Sequence, residues 1–231
     1  MIDLLSPTSV IDVGCGVGTW LSEFKKNGVA KVLGLDMDYV DKRYLQLDSS
    51  EFMECDLVNP PSLDHKWDLA ISLEVAEHLP GECADDFVRY LVSLAPAVLF
   101  SAAIPLQTGY NHVNLQWPDY WEQKFAEHGY LVIDCIRPRI WNRHEILPWY
   151  AQNMLLFVEQ TKVNNDLKIR YVFDIAPKEQ LCIVHPRIYV NEVRSARNQA
   201  YEMISVRKAT ALLLEACKRT LKHHMSFIKG F

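Results

Sequence analysis

Between Asp12 and Thr19 the chain places three glycines at alternate positions, Gly14-Cys15-Gly16-Val17-Gly18. Glycine is needed where a backbone turns sharply and must let a ligand approach without a Cβ in the way. A dinucleotide fingerprint would carry its third glycine at the position of Thr19, and a P-loop would need Gly-Lys-Ser/Thr, so neither fits. Two carboxylates follow, Asp36 and Asp56, each closing a short apolar run. They can serve a ligand, or act as helix caps and turn formers. Ser72-Leu73-Glu74-Val75-Ala76-Glu77-His78-Leu79 adds two carboxylates and an imidazole, and His112 adds a second imidazole. An imidazole titrates near neutral pH, so His112 is a candidate general base for a hydroxyl proton. It can equally be a histidine that ties down its loop.

The elements that must carry these groups alternate short β-branched runs with helical stretches, the rhythm of an α/β sheet. Ser9 to Val13 reads as a first strand running into the glycines, and Thr19 to Asn27 as the helix after it, stopped by Asn27-Gly28. Strands are expected at Lys31 to Leu35, Glu51 to Cys55, Trp67 to Ser72 and Ala97 to Ala103, with a helix from about Glu82 to Leu94. A loop then runs to Pro118, where proline suits a first helical turn, and that helix ends at Gly129. Tyr130 to Ile136 and Met154 to Glu159 read as two last strands, joined by an aromatic, Arg-rich connection.

With 231 residues, 49% of them hydrophobic and 23% charged, the chain has the mix of a folded protein with one sizeable core. No apolar run approaches the roughly 20 residues needed to span a bilayer. Met1 to Val10 lacks a basic start followed by an apolar stretch, so no export signal is expected. Six scattered cysteines show no C-x-x-C pair, which favours reduced thiols and a cytoplasmic protein over a zinc ribbon or disulfide scaffold. The net charge of −5 divides unevenly, −12 over residues 1–160 and +7 over 161–231. That predicts an acidic body at 1–160 and a basic appendage at 161–231, the latter a polar linker and then a long amphipathic helix, or two, from Val190 to about Ile228.

Asp12-Val13-Gly14-Cys15-Gly16-Val17-Gly18 after a first strand resembles motif one of the class I S-adenosylmethionine-dependent methyltransferases. The resemblance implies a Rossmann-like, seven-stranded, mostly parallel sheet with helices on both faces and an antiparallel last hairpin. It implies that Asp36 accepts from the ribose hydroxyls and Asp56 meets the adenine amino group. The candidate cofactor contacts are Asp12, Gly14, Cys15, Gly16, Asp36, Met37, Asp56, Leu57 and Leu73. Gly109-Tyr110-Asn111-His112-Val113-Asn114-Leu115-Gln116-Trp117-Pro118 resembles a stretch of bacterial methyltransferases from cell-surface polysaccharide and glycosylation pathways, in which Glu is more frequent at the position of Leu115.

Methyl transfer is an in-line displacement, so the protein must mainly align acceptor and methyl group and at times remove a proton. The expected acceptor is a small molecule or a sugar or glycan, through a hydroxyl before an amine. Tyr110, Asn114, Trp117, Trp141 and Arg139 are the candidate substrate contacts and His112 the catalytic one. Trp121 and Trp149 read more readily as core. Arg137, Arg139 and Arg143 can meet a substrate phosphate or carboxylate, or form a solvated patch. No resident metal is expected on this reading. An alternative is a metal-assisted RNA 2′-O-methyltransferase, because relatives of that kind hold a divalent ion with two Glu and two His, here Glu74, Glu77, His78 and His112. The acidic body argues against nucleic acid as a partner. A non-catalytic cofactor-binding scaffold is a further alternative. The C-terminal helix is a candidate homo-oligomer interface, or a lid, or a basic face carrying Lys218, Arg219, Lys222, His223 and His224.

Overall fold

The computed structural model describes residues 1–177, 180–202 and 206–228, without the side chains of 199–202, 207 and 219–228. A short helix α1 (Ile2–Leu5) precedes β1 (Ser9–Val13), α2 (Thr19–Lys26), β2 (Lys31–Asp36), β3 (Phe52–Glu54) and β4 (Leu69–Leu73). Then come α3 (Ala84–Leu94), β5 (Ala97–Ser101), α4 (Pro118–Glu127), β6 (Tyr130–Ile133), α5 (Arg137–Ile140), α6 (Pro148–Asn153) and β7 (Leu155–Glu159). The chain continues through α7 (Gln160–Asn165), α8 (Leu167–Ile175), α9 (Pro186–Glu202) and α10 (Val206–Ile228).

The seven strands form one sheet in the order β3-β2-β1-β4-β5-β7-β6. All neighbours are parallel except β7, which runs antiparallel to both β5 and β6. This is the mostly parallel, Rossmann-like sheet that the β/α rhythm and the resemblance predict. Strands β1, β4 and β5 are buried along their whole length, as expected where helices cover both faces. Side chains alternate between faces with period two, so each strand feeds two cores. Ile11, Ala70, Val98, Phe100 and Phe157 pack under Phe87 and Leu91 of α3 and Trp121 and Phe125 of α4. Val10, Ile71, Leu99 and Leu156 pack under Leu21 and Phe24 of α2, Val163 of α7 and Ile169 of α8.

The strand order reverses direction at β1 and β4, where the connections leave to opposite sides. An open α/β sheet binds ligands in the crevice at the carboxyl ends of its strands at such a point. The glycine loop, Asp36 and the loops after β4 and β5 all lie at that edge.

Three expectations need correction. The polar stretch 161–180 is not an open linker: Asn164-Asn165-Asp166 separates α7 from α8, and the Asp166 carboxylate caps α8 by accepting from the Lys168 and Ile169 N–H groups. Because Val163 and Ile169 are buried in the main core, the first compact unit runs from Met1 to Ile188, past the division drawn from charge at 160. From Tyr189 onward the chain forms a second unit, containing most of α9 and all of α10. β6 also stops at Ile133 rather than Ile136, because Asp134 turns into a buried ion pair with Arg137 at 2.7 Å. Of the expected apolar stripe, Ala200, Met203, Leu221 and Ile228 lie outside the described side chains, as do Arg219, Lys222, His223 and His224.

Candidate active site

The cofactor side is built from backbone. Gly14, Gly16 and Gly18 all adopt left-handed φ, at 88°, 54° and 79°. A Cβ on Gly14 would sit 2.3 Å from Val75 Cγ2, whereas one on Gly16 would meet nothing within 4 Å and would fill the open crevice. Gly18 is the N-cap of α2 and offers no side chain, so the first N–H groups of that helix have no side-chain acceptor. Asp36 is buried and spans the loop: one carboxylate oxygen accepts from the Gly16 N–H at 2.6 Å and the other from the Met37 N–H at 2.7 Å. Tyr39 lies beside Asp36, although its ring is largely exposed.

Asp12 lies beneath the loop, buried, with Oδ2 lacking any hydrogen-bond partner. Burial, and then the nearby Asp36 charge, push its carboxyl up to about 8. A buried carboxyl without a partner is expensive and invites a donor or a cation. S-adenosylmethionine carries ammonium and sulfonium charges that suit the unpartnered Asp12 oxygen and a carboxylate that suits the free helix N-terminus, and the space over Gly16 is open to it.

The other cofactor candidates differ in what they present to the crevice. The Cys15 thiol is buried, 2.5 Å from where a Cβ on Gly34 would lie, and donates to the Gly16 carbonyl at 3.4 Å, tying the loop from below. Leu57 and Leu73 are buried core residues, and Met37 is exposed at the rim. Asp56 is exposed and forms a turn, accepting from the Val58 N–H at 2.9 Å and the Asn59 side chain at 3.3 Å.

The acceptor side is built from side chains. Glu74 directly follows β4 at φ 57°, a conformation that costs a non-glycine residue about 1–3 kcal/mol. Its carboxylate accepts from Gln107 Nε2 at 3.2 Å and Asn153 Nδ2 at 3.1 Å. Gln152 extends the network, donating to Gln107 Oε1 at 3.2 Å and accepting from the His185 N–H at 2.8 Å. Glu77 is 0% exposed and neither carboxylate oxygen has a partner; burial, and then Glu74, push its carboxyl up to about 8. The Glu77 carbonyl accepts from the Val113 and Asn114 N–H groups, which pins the loop after β5 over the loop after β4.

That pinning brings His112 beside His78, with ring centroids 5.0 Å apart. His112 Nδ1 lies 3.2 Å from the Gln107 carbonyl, and His78 Nδ1 lies 3.3 Å from that of Asn111. A carbonyl only accepts, so each ring places a proton on Nδ1, and the neutral form of each has its lone pair on Nε2. A ligand atom from each of Glu77, His78 and His112 falls within 4.8 Å of the others, a set able to hold a divalent ion. Gly109 is needed here, because a Cβ would lie 2.1 Å from His112 Nε2.

Among the substrate candidates, Tyr110 is 93% exposed and Trp117 and Arg139 are exposed as well. Asn114 is corrected to a loop tie: it is buried, and its side chain donates to the Ala76 carbonyl and accepts from Gln116. Trp141 packs on His185 at 4.6 Å and accepts from its Nε2, facing the strap 181–188. Arg137 is a structural cation, buried, paired with Asp134 and donating to the Gln152 and Leu181 carbonyls, while Arg143 pairs with Glu145. Trp121 is core, as expected. Sequence reasoning missed Gln107, Gln152 and Asn153; their signal was a set of carboxamides inside otherwise apolar surroundings.

Residues 3–149 match the family model described as a methyltransferase domain. The chain belongs to this family. It is an enzyme, and S-adenosylmethionine is its methyl donor. No curated protein matches the sequence. Among solved structures, the methyltransferase is similar to magnesium protoporphyrin IX methyltransferase from Synechocystis PCC 6803 with bound SAM. The two are 23% identical over 65% of this chain and 69% of that one, with a TM-score of 0.46. It is also similar to the small RNA methyltransferase HEN1, 16% identical over 69% of this chain and 24% of that one, TM-score 0.52. A third is DesVI of Streptomyces venezuelae, 14% identical over 68% of this chain and 86% of that one, TM-score 0.51. At these identities the likeness is one of fold. Among the described residues of the methyltransferase, no helix is long and apolar enough to cross a membrane.

Proposed function

We propose that this methyltransferase acts on a hydroxyl, before an amine, of a small molecule or of a sugar or glycan, with His112 as the general base. The observation that carries the reading is the orientation of His112: Nδ1–H is held by the Gln107 carbonyl, and Gly109 leaves room for Nε2 and its free lone pair. Asp12, the backbone of Gly14 to Gly16, Asp36 and the start of α2 hold the cofactor, with Met37, Asp56, Leu57 and Leu73 framing the crevice. Bound there, S-adenosylmethionine supplies a methyl carbon activated by sulfonium charge. His112 Nε2 takes the acceptor's proton, so the oxygen gains one bond to carbon as it loses one to hydrogen. The resemblance of Gly109–Pro118 to glycosylation-pathway enzymes supports a sugar, as do the exposed Tyr110 and Trp117 rings beside that loop. Release of S-adenosylhomocysteine from the wild type across a panel of nucleotide sugars and glycans tests this. Turnover of an acceptor that His112→Ala leaves intact removes His112 from the chemistry.

One observation favours a second reading, in which Glu77, His78 and His112 hold a divalent ion that meets the acceptor hydroxyls. Both imidazoles are oriented through Nδ1, as metal-ligating histidines are, and the buried Glu77 carboxylate lacks any other partner. Glu74, by contrast, is committed to Gln107 and Asn153. An RNA acceptor on this reading lacks support from charge, since residues 1–160 carry −12. Activity abolished by EDTA and restored by Mn²⁺ selects this reading; activity indifferent to EDTA selects the first.

A further inference from the structure

On the sheet face covered by α2 lies a cavity of about 320 Å³ whose walls include Ile2, Leu4, Trp20, Phe24, Ile140 and Met154. Three polar side chains also line it, Glu23, Asn27 and Arg139. Two of them are committed elsewhere. Glu23 pairs with Lys26 at 2.6 Å, and Asn27 donates to the Glu23 carbonyl at 2.8 Å. Arg139 is exposed and, among the described residues, its guanidinium has neither an ion pair nor a hydrogen bond. The remaining polar neighbour, Cys135, is a buried thiol that burial keeps protonated. The chamber is therefore largely apolar along its walls, and Arg139 brings to it a positive charge without a side-chain partner.

It also adjoins the methyl-transfer site through α6. The Trp20 ring, one wall of the chamber, packs edge-on against Tyr150 of α6 at 5.4 Å. The same short helix ends in Gln152 and Asn153, which hold Gln107 and Glu74 beneath the acceptor loop. Met154, the residue after α6, lines the chamber. One helix thus has the acceptor network at its end and the apolar chamber on its flank.

We propose that the chamber binds an amphipathic anion, an alkyl chain ending in a single phosphate or carboxylate. The chain fills the apolar volume and the headgroup pairs with Arg139, as the non-reacting part of the acceptor. Apolar burial supplies affinity that grows with chain length, and the planar guanidinium fork matches either oxyanion. The link to the acceptor rests on the methyl-transfer reading; the binding of the anion does not.

The test is calorimetric titration of the full chain with alkyl phosphates and alkyl carboxylates of eight, ten and twelve carbons, with inorganic phosphate as the chainless control. Affinity is expected to rise about fourfold per added methylene until the chamber is filled, with no binding of inorganic phosphate. Arg139→Gln, at an exposed position, is expected to weaken the charged series at least tenfold, and Ile140→Trp to abolish binding by filling the chamber. The phosphate and carboxylate series together decide which headgroup is preferred. No dependence on chain length, or alkyl phosphate binding unchanged in both variants, overturns the proposal. Turnover of soluble sugars with no alkyl binding sinks the chamber and leaves the methyl-transfer reading standing. Chain-length-dependent binding with no methyl transfer to any acceptor does the reverse.

Discussion

The two halves of the crevice are made from different materials. On the cofactor half, one seven-residue segment supplies the loop, and its backbone does the shaping: three left-handed glycines, a helix start without a cap, and Asp36 clasping the Gly16 N–H. On the acceptor half, Glu74, Gln107, His112, Gln152 and Asn153 come from segments that are up to 79 residues apart, and their side chains do the shaping. A backbone cradle tolerates no Cβ but needs few partners. A side-chain network needs every partner, and those partners are far apart in the chain. Both halves keep one buried carboxyl without a hydrogen-bond partner, Asp12 Oδ2 and Glu77.

Mutations can break this contrast, and the largest effect belongs to the acceptor half. His112→Ala is expected to lower kcat by about 10²–10⁴ with cofactor affinity within about twofold, read by steady-state kinetics beside calorimetry. Gly109→Ala keeps the imidazole but displaces it, and is expected to reproduce about a tenfold share of that loss. An undiminished rate in Gly109→Ala would separate His112 from the loop that holds it.

On the cofactor half, Gly16→Ala puts a methyl group into open crevice. It is expected to raise the cofactor Kd at least tenfold, about 1.4 kcal/mol, at a cost in stability of about 1–2 kcal/mol from the left-handed backbone. Gly14→Ala drives into Val75 instead, so its loss should appear in the melting temperature even without cofactor. If both variants lost only stability, the loop would be scaffolding rather than a cradle.

A pH titration sharpens the comparison further. Asp12 holds its proton up to about 8 when folded, against the ordinary 3.8 when unfolded. The unfolded chain therefore releases that proton first, and its contribution to stability is lost as pH rises from about 4 to about 8. The melting temperature of the cofactor-free protein should fall across that window. Asp12→Asn should remove the Asp12 part of the slope. The smallest expected effect is at Tyr39. Its ring lies beside Asp36, the carboxylate assigned to the ribose, whose oxygens accept from the Gly16 and Met37 N–H groups, so Tyr39→Phe should leave the cofactor Kd within about twofold. Weaker binding would mean that Tyr39 helps to hold the cofactor instead.

How legible each half was in the sequence follows from the same contrast. Glycines at alternate positions behind Asp12 are a local pattern, and the left-handed φ at all three confirms why only glycine suits them. Ends of helices and strands were also readable wherever the signal was local, as at Asn27-Gly28 or at Pro118 opening α4. The segment 161–180 misled because Asn164-Asn165-Asp166 looks the same as an open linker and as a helix cap; burial of Val163 and Ile169 decided between them. Asn114 and Arg137 have the composition of substrate ligands but are buried among backbone carbonyls, which no local pattern reveals.

The sequence by itself determined the strand–helix alternation and the glycine turn, because hydrophobic period and backbone freedom act over a few residues, and the sheet order and the ligand followed from the resemblance of that turn to a known motif. Only the tertiary structure decided which proton His112 keeps, which carboxyls stay unpartnered and where an apolar chamber opens beside α6. Those properties depend on partners distant in the chain and on exclusion of water, and both exist only once the sheet has closed its layers.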